Sequence, residues 1–400
     1  MRVSTNQVYN QSVNRMQELQ QSTYRLQDQV SSGLRINQPA DDPVGAATLV
    51  QLDGQRNALE QYTRNGVLAE QRLTQVDDVM NGVTNALQRT YELLIQGRSE
   101  ALAASDRVAI ATEIREQLDV LVDLGNTRNA SGDFIFAGAK VETRPFSRDA
   151  AAEVSYNGDQ TVRRLEVSET RSIEETFSGD EAFMRIRNGN GTFVTAQGAA
   201  NAGTLQVGDN GVVDATSYVA HDYRIVFSDP ATYDVIDDTT GATVLAAQSY
   251  IAGDNVNFGG LSLNLFGEAV GGDEILVTPS ANQSMFDTVR NIALALERGY
   301  DDAESRARFG FDMDRSIEGL NRSIDRVSEL RAVAGSRINA IEVQRTANED
   351  FGLNLETLRS EIADVDFTAV ISDLARESTA LEAAQSAFVR VQQLSLFNYL

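Results

Sequence analysis

The 400-residue sequence contains no cysteine and no tryptophan, and its one histidine is His221. Without cysteine the chain can form neither disulfide bonds nor thiolate metal sites. A zinc site would need further histidine or cysteine ligands, and the sequence supplies none. His221 precedes Asp222 in an apparent strand, where a structural role is the simpler interpretation. We therefore predict no catalytic, cofactor-binding or metal-binding residue, and a protein that is not an enzyme.

Long hydrophobic runs are also absent. No segment approaches the ~20 consecutive apolar residues of a membrane span. The N-terminus lacks the apolar core of a secretory signal peptide. We therefore expect no membrane insertion, and any export from the cell would have to occur without a cleaved signal peptide.

Positive charge is scarce relative to negative charge. The chain has 34 basic and 58 acidic residues, a formal net charge of −24 and a pI of about 4.4. Lys140 is the single lysine. So strong an excess of carboxylates repels phosphate groups, which argues against nucleic acid or an anionic membrane surface as a partner.

Apolar residues repeat every seven positions at both ends of the chain, as they do in a coiled coil. The N-terminal repeat is the weaker one, because many of its positions are small or polar. The C-terminal repeat passes into a tip that is apolar on nearly every side, which one partner helix cannot cover. A helix docked into the core of its own domain is the alternative. We predict subunit-interface roles for Tyr9, Met16, Leu19, Leu26, Val30, Phe367, Leu374, Leu381, Phe388, Val391, Leu396, Phe397 and Leu400.

Two longer helices are predicted between these ends. Unbroken seven-residue rows run from Leu52 to Leu94 and from Met313 to Ile362. Asp42 and Asp366 precede helical patterns at positions suited to N-caps. The row ending at Ile362 is out of register with the row beginning at Phe367, so residues 363–366 predict a break. A second break is predicted over residues 31–43.

The glycine-rich region 147–283 shows alternating apolar residues instead of heptads, which predicts β-strands. Asn157-Gly158 is typical of a tight hairpin turn between two strands. The predicted fold is mainly α, with nested long antiparallel helices forming a coiled-coil-like rod and an inserted all-β domain. Its three domains are residues 1–37 with 363–400, residues 38–146 with 284–362, and the insert 147–283.

Specific runs of residues resemble a known family. Ser31–Ala47 is similar to the N-terminal signature of flagellin-family axial proteins, and Pro39 and Pro43 within it resemble the hook-associated branch. Asn129–Gly138, followed by Pro145-Phe146, is similar to a pattern of that branch, and so is the ending Gln393–Leu400. The chain is thus identified as a member of the flagellin family that resembles its hook-associated proteins.

The resemblance implies a structural subunit of the bacterial flagellum that joins hook to filament and polymerises through its terminal helices. The partners that the resemblance implies are further copies of this chain itself, adjacent hook-associated and filament proteins, a cytoplasmic export chaperone and the flagellar export apparatus. It further implies an extracellular location, reached through type III export, with the terminal helices in an inner tube and the insert facing outward. The alternatives are filament flagellin and, less closely, a soluble coiled-coil adhesin.

Overall fold

The computed structural model describes residues 5–397, except for the side chains of residues 5, 6, 8 and 391–397. Its contacts divide the chain into two compact units. The outer unit consists of Met1–Asn65 with Val343–Leu400, and the inner unit is Gly66–Glu342. Within the described residues, no helix is long and apolar enough to cross a bilayer.

In the part of the chain that the structure describes, residues 5–397, six α-helices account for more than half of the residues. They are α1 (Thr5–Ser32), α2 (Pro43–Gly97), α3 (Ala104–Gly125), α4 (Met285–Arg298), α5 (Ala303–Ala363) and α6 (Phe367–Phe397). Helix α1 packs on α6, and α3 packs on α4. Residues 33–42 separate α1 from α2, and residues 364–366 separate α5 from α6. The predicted breaks over residues 31–43 and 363–366 are thus confirmed.

Side-chain caps explain where several helices begin. The Asp42 carboxylate accepts a hydrogen bond of 2.9 Å from the Gly45 amide, and Ser284 Oγ accepts one of 2.9 Å from the Asp287 amide at the start of α4. Asp366 accepts from the amides of residues 368 and 369 at the start of α6. Each cap satisfies amides that have no partner within the helix. The caps predicted at Asp42 and Asp366 are confirmed.

Helices α2 and α5 run antiparallel. In the inner unit, Asp77 of α2 pairs with Arg331 of α5 at 2.8 Å. In the outer unit, Asp53 of α2 pairs with Arg359 of α5 at 3.4 Å. The lower residue number of α2 is thus paired with the higher residue number of α5, as antiparallel helices require. The predicted pairing of the two long helices is correct.

Fourteen strands lie between α3 and α4. They are β1 (Phe146–Arg148), β2 (Val154–Tyr156), β3 (Arg164–Ser168), β4 (Arg171–Glu174), β5 (Ile186–Arg187), β6 (Phe193–Gln197), β7 (Gln206–Val212), β8 (Tyr223–Asp229), β9 (Thr232–Asp237), β10 (Ala242–Ser249), β11 (Asn255–Phe258), β12 (Leu261–Phe266), β13 (Glu274–Pro279) and β14 (Asn282–Gln283). A π-helical turn spans Asp180–Met184. The predicted fold class, long helices with an inserted all-β region, is confirmed.

The strands form antiparallel sheets. The largest has five strands in the order β10-β9-β8-β13-β6, and a three-stranded sheet has the order β11-β12-β7. The pairs β1-β2, β3-β4 and β5-β14 form two-stranded ladders. The hairpin predicted at Asn157-Gly158 is wrong. It would pair β2 with β3, whereas β2 pairs with the preceding strand β1 and β3 pairs with the following strand β4. The Asn157 amide group instead donates to Ser147 Oγ at 2.9 Å.

Two hydrophobic cores lie in the inner unit. The first joins parts of α2, α3, α4 and α5 to side chains between residues 135 and 186, including Val154, Val167 and Phe183. The second lies inside the sheets formed by β6 to β13, and Phe311 of α5 contributes to it. The chain segment before β6 thus packs with helices, whereas the later strands enclose a core of their own.

Candidate assembly surface

Helices α1 and α6 form the terminal helix pair. At one end of the pair, the Tyr9 and Phe388 ring centroids are 5.2 Å apart. At the other end, a Cβ added to Gly33 would lie 3.7 Å from Cζ of Phe367. These two contacts show that the helices run antiparallel along their length. The two terminal heptad rows therefore meet within one subunit.

The predicted interface residues differ in how far this pairing covers them. Leu26 is buried at 8% exposure, whereas Tyr9 and Phe367 remain 47% and 49% exposed. Intermediate exposure is found for Met16, Leu19, Val30, Leu374, Leu381 and Phe388. The side chains of Val391, Leu396, Phe397 and Leu400 lie outside the described residues. One partner helix leaves much of this apolar surface in water, where further burial would be favourable.

Additional apolar residues of α6 are exposed beside the predicted rows. Ile371 is 53% exposed and Val389 is 51% exposed. The heptad analysis missed both because they lie outside the two rows that face α1. Ile371 lies four residues after Phe367, and Val389 lies one residue after Phe388. The two are a whole number of helical turns apart, so this spacing could have indicated a second apolar stripe on α6.

The terminal helix pair continues into a joint, which we define as residues 33–42 together with residues 362–366. The Arg35 amide donates to Ala363 O at 2.6 Å, and the Val365 amide donates to Gly33 O at 3.0 Å. Leu34 and Asp364 form an isolated antiparallel bridge. The two passages of the chain through this region are thus hydrogen-bonded to each other.

Charged groups reinforce the joint. The Arg35 guanidinium donates to Ile362 O through Nε at 3.1 Å and through Nη2 at 2.7 Å. Its Nη1 lies 3.4 Å from Asp42 Oδ2. The hydrogen bond from the Gly45 amide, assisted by Arg35, holds the pKa of Asp42 below its ordinary value of 3.8. The carboxylate is therefore ionised throughout the neutral range.

The stretch Asn129–Gly138 forms part of the core of the inner unit. Asn129 Oδ1 accepts from the amides of Ser131 and Asp133 and so closes a turn. Phe136 follows, fully buried, with its ring centroid 5.1 Å from that of Phe183. Phe146 lies 5.1 Å from both Phe183 and Phe286. The aromatic residues of this stretch therefore stabilise the helices rather than present a surface.

His221, the one histidine of the chain, lies beside a carboxylate of the inner unit. His221 Nδ1 lies 2.8 Å from Asp237 Oδ2, and Asp237 also accepts from the amides of Thr239 and Thr240. The His221–Asp237 pair thus closes the turn after β9. Among the residues that the structure describes, no group of three or more histidine, aspartate or glutamate side chains could hold a metal ion.

Both ends of the chain match a known family. Residues 3–141 match the bacterial flagellin N-terminal helical region, and residues 317–400 match the bacterial flagellin C-terminal helical region. Together these matches cover more than half of the sequence. The chain belongs to the flagellin family.

Within that family, the chain is similar to hook-associated proteins over its whole length. It is 26% identical to flagellar hook-associated protein 3 of Escherichia coli (strain K12), covering 99% of each chain. It resembles the crystal structure of FlgL from Xanthomonas campestris, with a TM-score of 0.71 and 27% identity over 77% of this chain and 99% of that chain. The flagellar junction protein FlgL from Legionella pneumophila gives a TM-score of 0.71 and 26% identity over 80% of this chain and 100% of that chain.

Proposed function

We propose that this chain is a structural subunit of the bacterial flagellum that joins the hook to the filament. The observation that carries the proposal is the similarity to hook-associated protein 3, because it extends through the β region as well as the helical ends. The terminal helix pair supports a polymerising role. Tyr9, Phe367, Ile371 and Val389 remain about half exposed within one subunit, and burial against neighbouring copies would remove them from water.

The proposal includes roles for the three segments. Residues 1–37 with 363–400 polymerise and line the inner tube, residues 38–146 with 284–362 form the long-helix bundle, and residues 147–283 face outward. The subunit contacts are the thirteen predicted residues at the two ends of the chain. Those of them with described side chains include Tyr9 and Phe367, whose exposure supports this assignment.

The proposal also covers partners and location. The subunit contacts copies of itself and the adjacent hook-associated and filament proteins, outside the cell. Before assembly it is held by a cytoplasmic export chaperone and passes through the flagellar export apparatus without a cleaved signal peptide. Its role is structural and not enzymatic, which fits the pairing of His221 with a turn-closing carboxylate.

Deletion of the gene tests the proposal against the alternative that the chain is filament flagellin. Loss of a junction subunit should leave hooks on the cells and release filament protein, unattached, into the medium. Loss of filament flagellin would instead remove the filament protein itself. Electron microscopy of the cells and analysis of the culture supernatant separate the two results. Filaments that remain attached in the deletion strain would exclude a junction role.

Substitution of Phe388 by aspartate tests the interface assignment. The Phe388 ring lies 5.2 Å from that of Tyr9 and is partly exposed. A carboxylate there stays hydrated in the free subunit but becomes an unpaired, desolvated charge when a neighbouring copy covers this surface, at a cost of several kcal/mol. We expect Phe388→Asp to be produced and exported but to form no junction and to support no swimming. Leu294→Asp, a change at an exposed residue of α4, is the matched control and should swim. A swimming Phe388→Asp strain would contradict the assignment.

A further inference from the structure

Arg35 occupies the point at which three helix ends converge. Helix α1 ends at Ser32, α2 begins at Pro43 and α5 ends at Ala363. The backbone turns after α1 at Gly33, whose positive φ of 73° disfavours any residue with a Cβ. Arg35 follows two residues later and contacts groups from all three helix ends.

The strongest contacts of Arg35 are with the end of α5. The carbonyl groups of its last turn have no partners within the helix, and they carry the negative end of the helix dipole. The Arg35 amide donates to Ala363 O at 2.6 Å, and its guanidinium donates twice to Ile362 O, at 3.1 and 2.7 Å. A cation therefore lies where the C-terminus of a 61-residue helix favours one.

The same side chain reaches the beginning of α2. Nη1 of Arg35 lies 3.4 Å from Oδ2 of Asp42, the residue that caps α2 through its other oxygen. The space around this cap is closed: a Cβ on Gly45 would lie 2.5 Å from Cδ1 of Ile36 and 2.6 Å from Asp42 Oδ2. A larger residue at position 45 would therefore displace the side chain of Ile36 or Asp42 from its place at the cap.

The end of α1 is held by the backbone of the same residue. Gln29, in the last turn of α1, donates from Nε2 to Arg35 O at 2.7 Å. Arg35 thus binds α5 through its amide and guanidinium, α2 through Asp42, and α1 through its carbonyl. The heptad row ending at Ile362 is out of register with the row beginning at Phe367, so helix packing alone does not carry the alignment through the joint.

We propose that Arg35 is a positioning residue that sets the direction in which the terminal helix pair leaves α2 and α5. This inference rests on the proposed function, because a fixed direction matters when each subunit must present its ends identically to its neighbours. Arginine suits this role better than lysine, since its planar fork can bind one carbonyl twice while a third nitrogen faces a carboxylate. Without the guanidinium, the helices form but their relative direction varies.

Amide hydrogen exchange on the purified subunit tests the local part of the proposal. The variants are Arg35→Ala, the conservative Arg35→Lys, and Arg64→Ala as a control in α2. The Arg64 guanidinium contacts Gln61 at 3.0 Å and Glu60 at 3.8 Å, both within its own helix. In Arg35→Ala we expect the Val365 amide to exchange about fivefold faster, as for the loss of one net hydrogen bond. Arg35→Lys should lie between, Arg64→Ala should match the unmodified protein, and the helical circular dichroism should be unchanged. Exchange at Val365 within twofold of the unmodified protein in Arg35→Ala would overturn the proposal.

Complementation of the deletion strain tests the functional part. Arg35→Ala should be secreted but should attach few filaments, and Arg35→Lys should restore attachment in part. Normal attachment with Arg35→Ala, when the deletion strain attaches none, would overturn the positioning role and leave the junction function intact. Filaments attached in the deletion strain itself would instead refute the proposed function, while the exchange measurement would still report on the joint. A general loss of folding would lower the helical circular dichroism of Arg35→Ala, which would also contradict a positioning role.

Discussion

Replacement of Phe146 by alanine should unfold the inner unit at a markedly lower temperature. The Phe146 ring is fully buried and lies among the rings of Tyr156, Phe183 and Phe286 at centroid distances of 5.1 to 5.3 Å. It also lies against Gly125 of α3, where an added Cβ would come within 2.7 Å of the ring. The ring therefore joins α3 and α4 to the segment before β6.

The size of the effect follows from the burial. Truncation of a fully buried phenylalanine typically costs about 3–5 kcal/mol, from lost transfer free energy and the cavity that remains. The hydroxyl of the neighbouring Tyr156 donates to Phe136 O at 2.9 Å and to Asp159 O at 2.7 Å, which limits how far this ring can move into the cavity. For a unit of this size, such a loss lowers the melting temperature by roughly 10 °C.

Thermal unfolding followed by circular dichroism at 222 nm is the assay. Phe351→Ala, which changes a phenylalanine that is 50% exposed on α5, is the control and should shift the transition by no more than about 2 °C. If Phe146→Ala melts within 2 °C of the unmodified protein, the aromatic cluster does not stabilise the inner unit.

Two further predictions concern charges in the inner unit. Arg107 is 5% exposed, and its guanidinium carbon lies 4.4 Å from the centroid of the Tyr300 ring. Arg107→Ala should therefore lower the free energy of unfolding, measured in urea, by about 2–3 kcal/mol. An unchanged urea midpoint would refute this. Burial raises the pKa of Glu318, and Asp314 raises it further, although Asn210 donates to it at 3.0 Å. Because the pKa of this carboxyl is higher in the folded state than in the unfolded state, the protein loses stability as the pH rises through the folded pKa. Glu318→Gln should therefore stabilise the protein at pH 7 and lose this advantage in acid. Equal unfolding curves at pH 7 would contradict the prediction.

The residues that resemble the flagellin family have structural explanations in this fold. Ser31–Ala47 contains Arg35, Asp42 and Gly45, which together close the joint. The stretch from Asn129 to Phe146 supplies buried aromatic rings to the inner unit. Both motifs therefore encode contacts inside one subunit, whereas the apolar rows at the ends leave surface available for neighbours.

The positions of the helices could be predicted from the sequence because the signals are local. Seven-residue rows identify a helix from its own residues, and an aspartate such as Asp42 or Asp366 caps the helix that follows it directly. The register shift after Ile362 likewise indicated a break within a few residues of its true position. Each of these inferences uses side chains that are neighbours in the sequence.

The partners of the strands and of Arg35 depended on the tertiary structure. Asn157-Gly158 has the composition of a hairpin turn, yet β2 pairs with β1, because strand pairing is decided by which faces the fold buries and not by turn residues alone. Arg35 and its acceptor Ile362 O are 327 positions apart in the chain. No local pattern links such groups, and only the antiparallel return of α5 along α2 brings the carbonyl to the guanidinium.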